Sequence, residues 1–149
     1  MKVKEIMIRN VRSISADISV GEAFKILSEM QISGLPVIDE NGKLCGMFTE
    51  KDILKTILPS YIEKVGRFVY LENPKGINIK ISELVNLKVK DIMRKEVVTV
   101  GEDTAVCEVA RIMITQKIRR IPVVDKENKV LGIVARQDVL KALLGDYTK

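Results

Sequence analysis

The chain has 149 residues, 46% of them apolar and 30% charged, with a formal net charge of +5 and no His. Its length allows one substantial core or two small ones, and no apolar run approaches a membrane span. Without imidazole, the usual general base of nucleophilic triads and the commonest metal ligand are both missing.

The opening MKVKEIMIRN has no long apolar stretch and no cleavage site, so a cytoplasmic protein without membrane insertion is expected. Val11 to Ile14 reads as a short strand. Ser19-Val20-Gly21-Glu22 is a capping box, in which Ser and Glu satisfy the free amides of a helix start. Behind it Val20, Ala23, Phe24, Leu27 and Met30 form an apolar stripe at helical spacing. Leu35 to Ile38 and Leu44 to Phe48 read as two strands around Asn41-Gly42, a strong hairpin signal. Thr49 is placed as an N-cap, with Glu50 and Asp52 in the first turn, where negative charge suits the helix dipole. Ile53, Leu54, Ile57 and Leu58 carry an apolar face onward to Pro59. Cys45 falls in a strand-like run and Cys107 in a helix-like one. Neither has a close metal or redox spacing, and both read as buried or half-buried structural thiols.

Residues 59–88 include Tyr61, Phe68 and Tyr70, and aromatics argue against a loose linker. A short helix is expected over Tyr61 to Val69 and a turn at Asn73-Pro74-Lys75-Gly76. After this insert the opening pattern returns. VKEIM (3–7) falls on VKDIM (89–93), LPVIDE (35–40) on IPVVDK (121–126), and GMFTEKDIL (46–54) on GIVARQDVL (132–140), all in one gap-free register. One βαββα unit is therefore built twice, as residues 1–58 and 89–149 around the 59–88 insert. Each copy is too small to bury a good core alone, so the copies should pack on each other.

This ordered set of motifs, repeated at a constant offset, resembles tandem CBS domains, the Bateman module. The resemblance covers both repeats. It implies an α+β (mixed α/β) fold in which two βαββα CBS units pack through their sheets about a pseudo-twofold axis, leaving two clefts. It also implies a non-catalytic regulatory module whose clefts bind an adenosine-containing ligand: AMP, ADP, ATP or S-adenosylmethionine. Such modules signal to a partner protein, here an unknown target, and often pair; the apolar ends Ile57, Leu58, Leu143 and Leu144 suit a homodimer. By the resemblance, one cleft holds Thr49, Lys51 and Asp52 with Val97, Val98, Ile118, Arg119 and Arg120. The other holds Ala135, Arg136, Gln137 and Asp138 with Val11, Arg12, Ile32, Ser33 and Gly34.

The residue chemistry agrees. In Gly-x-x-Thr-x-x-Asp the Asp lies one helical turn beyond the Thr, so both project near the same helix end. A carboxylate can accept two hydrogen bonds from the vicinal hydroxyls of a ribose. The Thr hydroxyl and the first-turn amides can donate to a phosphate. The same residues also have a purely structural reading, as a helix cap. The second copy keeps Asp138 but has Ala135 where Thr49 stands, so unequal clefts are expected. The basic run KIRRIPV (117–123) offers Arg120, and beside it Arg119, to a phosphate. The alternative function is nucleic-acid binding through Arg119 and Arg120, although no recognised nucleic-acid motif accompanies them. No phosphate-binding glycine loop and no nucleophile–base pair is present, so enzyme activity is not expected; an all-carboxylate metal site stays open, but no acidic cluster suggests one and no metal is expected.

Overall fold

The computed structural model describes residues 1–57 and 81–145, which divide into two compact units whose boundaries do not follow chain order. Ser13–Asp39 and Cys45–Glu96 form the first-repeat unit; Met1–Arg12, Glu40–Leu44 and Val97–Lys149 form the second-repeat unit. The fold is α+β, with two three-stranded sheets.

The first repeat runs β1 (Ile14–Ser15), α1 (Val20–Met30), β2 (Gly34–Ile38), β3 (Leu44–Thr49) and α2 (Glu50–Ile57), the predicted βαββα order. The sheet order is β1-β2-β3, and β1 lies parallel to β2, which requires the α1 crossover between them. Pairing begins only at Ile14 opposite Val37, so Val11 and Arg12 precede the strand rather than opening it. Helix α1 is capped as expected, with Ser19 Oγ accepting from Glu22 N at 3.1 Å. Its Val20 and Gly21 amides donate to the carbonyls of Leu87 and Val85, so the end of the insert satisfies donors that a helix start leaves open. Val20, Ala23 and Leu27 are buried against Leu35, Val37 and Phe48, and Leu84 of the insert joins this core. Phe24 and Met30 flank the buried stripe on either side and stay about half exposed, at 51% and 45%. The helix and turn expected over 61–69 and 73–76, together with Leu58, lie outside the described residues.

The second repeat repeats the order as β4 (Val100–Gly101), α4 (Val106–Gln116), β5 (Arg120–Val124), β6 (Val130–Ala135) and α5 (Arg136–Leu144), after a short α3 (Val89–Ile92). Here β4 is parallel and β6 antiparallel to β5. Val106, Val109 and Met113 of α4 pack on Ile121, Val123, Val134 and Val139. Cys107 points away from that stripe and is exposed, against expectation, whereas Cys45 is half-buried. Burial raises the Cys45 thiol pKa, and the negative charges of Asp39 and Asp17 add to the shift. The hairpin turns place Gly42 and its counterpart Asn128 at positive φ, 78° and 66°, a conformation both residue types adopt at low cost.

The two leading segments explain the unit boundaries. Val3 and Met7 of VKEIM are buried in the second-repeat core, and Val89 of VKDIM in the first-repeat core. Val3 N donates to Thr104 O at 2.8 Å and Val106 N to Met1 O; likewise Val89 N donates to Ile18 O at 2.9 Å and Val20 N to Leu87 O. Lys4 pairs with Asp103 at 3.1 Å, and Lys90 with Asp17 at 3.1 Å. Each leader then runs along the edge strand of the body it joins. Ile8 and Ile133 exchange two backbone bonds of 2.9 Å, and Arg94 and Met47 do the same. This approach needs glycine in the edge strand. A Cβ on Gly132 would lie 2.6 Å from Ile8 O, and one on Gly46 would lie 2.8 Å from Arg94 O.

Candidate functional site

Strand β3 ends on Thr49 and α2 begins on Glu50, so the strand delivers the helix start directly. Asp52 Oδ2 accepts from Thr49 N at 2.8 Å and from Thr49 Oγ1 at 3.0 Å, and Thr49 Oγ1 in turn accepts from Asp52 N at 3.3 Å. The hydroxyl hydrogen expected to reach a phosphate is thus directed at the carboxylate. In the second-repeat unit Asp138 Oδ2 accepts from Ala135 N at 2.8 Å, the same bond without the hydroxyl. Both Asp side chains are half-buried. In each, Oδ2 holds the helix start while Oδ1 has no hydrogen-bond partner among the described residues. An ionised carboxyl oxygen is an acceptor only, so each unit offers one acceptor oxygen beside a helix N-terminus.

The segment before each Pro-Val strand lies next to the helix start of its own unit. Glu50 N donates to Ser33 O at 2.9 Å, and Arg136 N donates to Arg119 O at 2.8 Å. Arg120 pairs with Ala135 across β5 and β6. In the first-repeat unit, therefore, Ile32, Ser33 and Gly34 adjoin Thr49, Lys51 and Asp52. In the second-repeat unit, Ile118, Arg119 and Arg120 adjoin Ala135, Arg136, Gln137 and Asp138. Each cleft expected from the sequence draws its residues from both units. Thr49, Lys51 and Asp52 belong to the first-repeat unit, while Val97, Val98 and Ile118 to Arg120 belong to the second. Val11 and Arg12 share the second-repeat unit with Ala135 to Asp138, whereas Ile32, Ser33 and Gly34 do not. Val11, Val97 and Val98 are half-buried; Arg12, Lys51, Arg119, Arg136 and Gln137 are exposed.

These neighbours account for the Thr49/Ala135 difference. A Cβ on Gly34 would fall 2.8 Å from Thr49 Cγ2 and 3.2 Å from Phe48 O, so the β-branched Thr tolerates only glycine beside it. At the equivalent place Ala135 lacks a γ-carbon and a full side chain, Arg120, stands across from it. Gly34–Thr49 and Arg120–Ala135 are alternative ways of filling one space. No single-position reading of the sequence carries this signal, because it lies in the pairing of strands.

An open concave region of about 820 Å³ lies at the opposite end of β5, lined by residues 99–104 and 124–127. Glu102, Asp103, Asp125 and Glu127 line it together with Lys126, and Asp103 and Glu127 are paired with Lys4 and Lys129. Among the described residues there is no cluster of three or more metal-ligating side chains. No described helix is long and apolar enough to cross a membrane.

The sequence model of the CBS domain matches residues 3–59 and 89–145. The inosine-5'-monophosphate dehydrogenase of Methanocaldococcus jannaschii is 34% identical over 140 residues, which covers 94% of this chain but only 23% of that enzyme's length. Among solved structures, CBSX2 of Arabidopsis thaliana in complex with AMP is 30% identical, with a TM-score of 0.76 and 98% of each chain covered. The CBS domain pair of protein MJ0100, in complex with 5'-methylthioadenosine and S-adenosyl-L-methionine, is 32% identical, with a TM-score of 0.72 and 98% of each chain covered.

Proposed function

The chain belongs to the CBS-domain family, and from that premise we propose that it is a non-catalytic regulatory module that binds an adenosine-containing ligand. The observation that carries this reading is the matched pair of carboxylates. Asp52 and Asp138 each steady a helix start with one oxygen and present the other, in equivalent places of two units. A ribose diol supplies the two donors such an oxygen takes, and the adjacent first-turn amides suit what the 5' carbon carries. Similar CBS-pair proteins were crystallised with AMP and with S-adenosyl-L-methionine, which supports the same ligand class here. The match to a dehydrogenase spans only 23% of that enzyme and lends this chain no catalytic role.

The reading extends to a cytoplasmic homodimer that signals ligand occupancy to a target protein. Leu54, Leu140, Leu143 and Leu144 leave large apolar side chains exposed on α2 and α5, and self-association would cover them. Ile57 instead packs partly into its own core. The test is titration calorimetry of the purified chain with AMP, ATP and S-adenosylmethionine, with mass spectrometry of any ligand that co-purifies. Saturable binding of at least one adenosyl compound, lost in Asp52→Ala with Asp138→Ala, is expected. A co-purifying oligonucleotide, with no adenosyl binding, would turn the reading to nucleic acid.

A further inference from the structure

The two helix starts share their backbone and their Asp, yet the charges around them are opposite. In the second-repeat unit Arg119 and Arg136 are joined by a backbone hydrogen bond of 2.8 Å, and Arg120 stands in the next register position opposite Ala135. Arg119 and Arg136 are exposed and have no carboxylate partner among the described residues. The equivalent positions of the first-repeat unit are Ser33, Gly34 and Glu50. The exposed guanidiniums of Arg119 and Arg136 thus stand beside Asp138, where the sister unit has Ser33 and Glu50 beside Asp52, with Lys51 as the adjoining cation of the helix start. The exchange is built into the strands, since Ala135 makes room for Arg120 whereas Thr49 admits only Gly34.

Resting on the adenosyl reading, we infer that the two units take different ligand classes: the second-repeat unit takes an adenosine polyphosphate, and the first-repeat unit takes an adenosyl compound with a neutral or cationic 5' group. Planar guanidiniums bind phosphate oxygens in pairs, and several of them outmatch one carboxylate. Beside Glu50 and Asp52 a triphosphate meets like charge, while a thioether meets no repulsion and a sulfonium meets attraction.

The experiment follows backbone amide resonances of the isotope-labelled full chain during separate titrations with ATP, 5'-methylthioadenosine and S-adenosylmethionine. ATP should shift the Arg136 to Asp138 amides at concentrations about tenfold or more below those that shift Glu50 to Asp52, and the other two should reverse the order. In Arg119→Gln with Arg136→Gln, the ATP affinity of the second-repeat unit should fall roughly 100-fold, about tenfold for each exposed guanidinium, while 5'-methylthioadenosine binding stays within about threefold. ATP shifting Glu50 to Asp52 first, or the double variant weakening both ligands equally, would overturn the assignment and leave the adenosyl reading intact. No shift with any of the three compounds would sink both.

Discussion

Gly132→Ala tests whether the N-terminal leader depends on close backbone approach to β6. The new Cβ would sit 2.6 Å from Ile8 O and 3.0 Å from Met7 Sδ. The sulfur can move, but the carbonyl oxygen is held by Ile133 N at 2.9 Å. Relief therefore means pushing the leader off the strand and losing the reciprocal Ile8–Ile133 bonds. Overpacking costs about 1–3 kcal/mol and the two backbone bonds about 1 kcal/mol net each, so roughly 3–5 kcal/mol is expected. At about 2–4 °C per kcal/mol for a chain of this size, the melting temperature should fall by roughly 6–20 °C. Hydrogen exchange should show the Ile8 amide losing protection before the Val123 amide of the core does. Gly101→Ala is the control, because nothing lies within 4 Å of its Cβ position; it should change stability by less than about 1 kcal/mol. If Gly132→Ala melts within about 1 °C of the native chain with Ile8 still protected, the leader does not rest on that glycine.

Ala135→Thr should cost about 1–3 kcal/mol, because a Thr in the Thr49 rotamer meets Arg120. Adding Arg120→Gly should recover about 1 kcal/mol or more in a double-mutant cycle, and strictly additive effects would refute the pairing. Thr49→Val keeps the β-branch but removes both hydroxyl bonds to Asp52, so unfolding free energy should drop by about 1 kcal/mol; an unchanged denaturation midpoint would show the cap is inert. The Lys90 and Lys4 ammonium groups, through hydrogen bonds first and charge second, hold the Asp17 and Asp103 carboxyls below the usual range. Folded pKa values lower than unfolded ones add stability that is present at neutral pH and is lost as pH falls through the lowered values. Asp17→Asn with Asp103→Asn should therefore flatten the melting temperature's fall below about pH 4, and curves parallel to the native one would exclude a role for these pairs.

What was legible in the sequence is what local rules determine. The stripe behind Ser19, the Asn41-Gly42 turn and the Thr49 cap depend on neighbours within a few residues, and the gap-free repeat carried each assignment into the second copy. The width of the α1 stripe was misjudged, because period alone does not say how far a core wraps around a helix, and Phe24 and Met30 lie just past its edges. The exchange of leaders was not legible for a different reason. VKEIM and VKDIM present nearly identical surfaces, so no property of either segment says which body it joins. The choice lies in the chain connectivity, since Gly46 and Gly132 offer both leaders the same clearance.

The same near-identity makes the remaining differences informative. Both units use the same leader contacts, the same glycine clearance and the same Asp-to-amide bond, so none of these can distinguish one helix start from the other. A chain needing only a stable cap twice would gain from Thr in both places, since the hydroxyl adds bonds to the cap at Asp52. The second unit forgoes those bonds and places Arg120 in the space instead, beside Arg119 and Arg136. Lost cap stability in exchange for clustered positive charge is hard to explain as folding, because like charges side by side repel. An anionic ligand reverses that sign. The Arg120→Gly, Ala135→Thr double variant separates the two accounts: it should leave the second unit about as stable as the native chain, yet binding ATP about tenfold more weakly. A double variant with native ATP affinity would return Arg120 to a purely structural role.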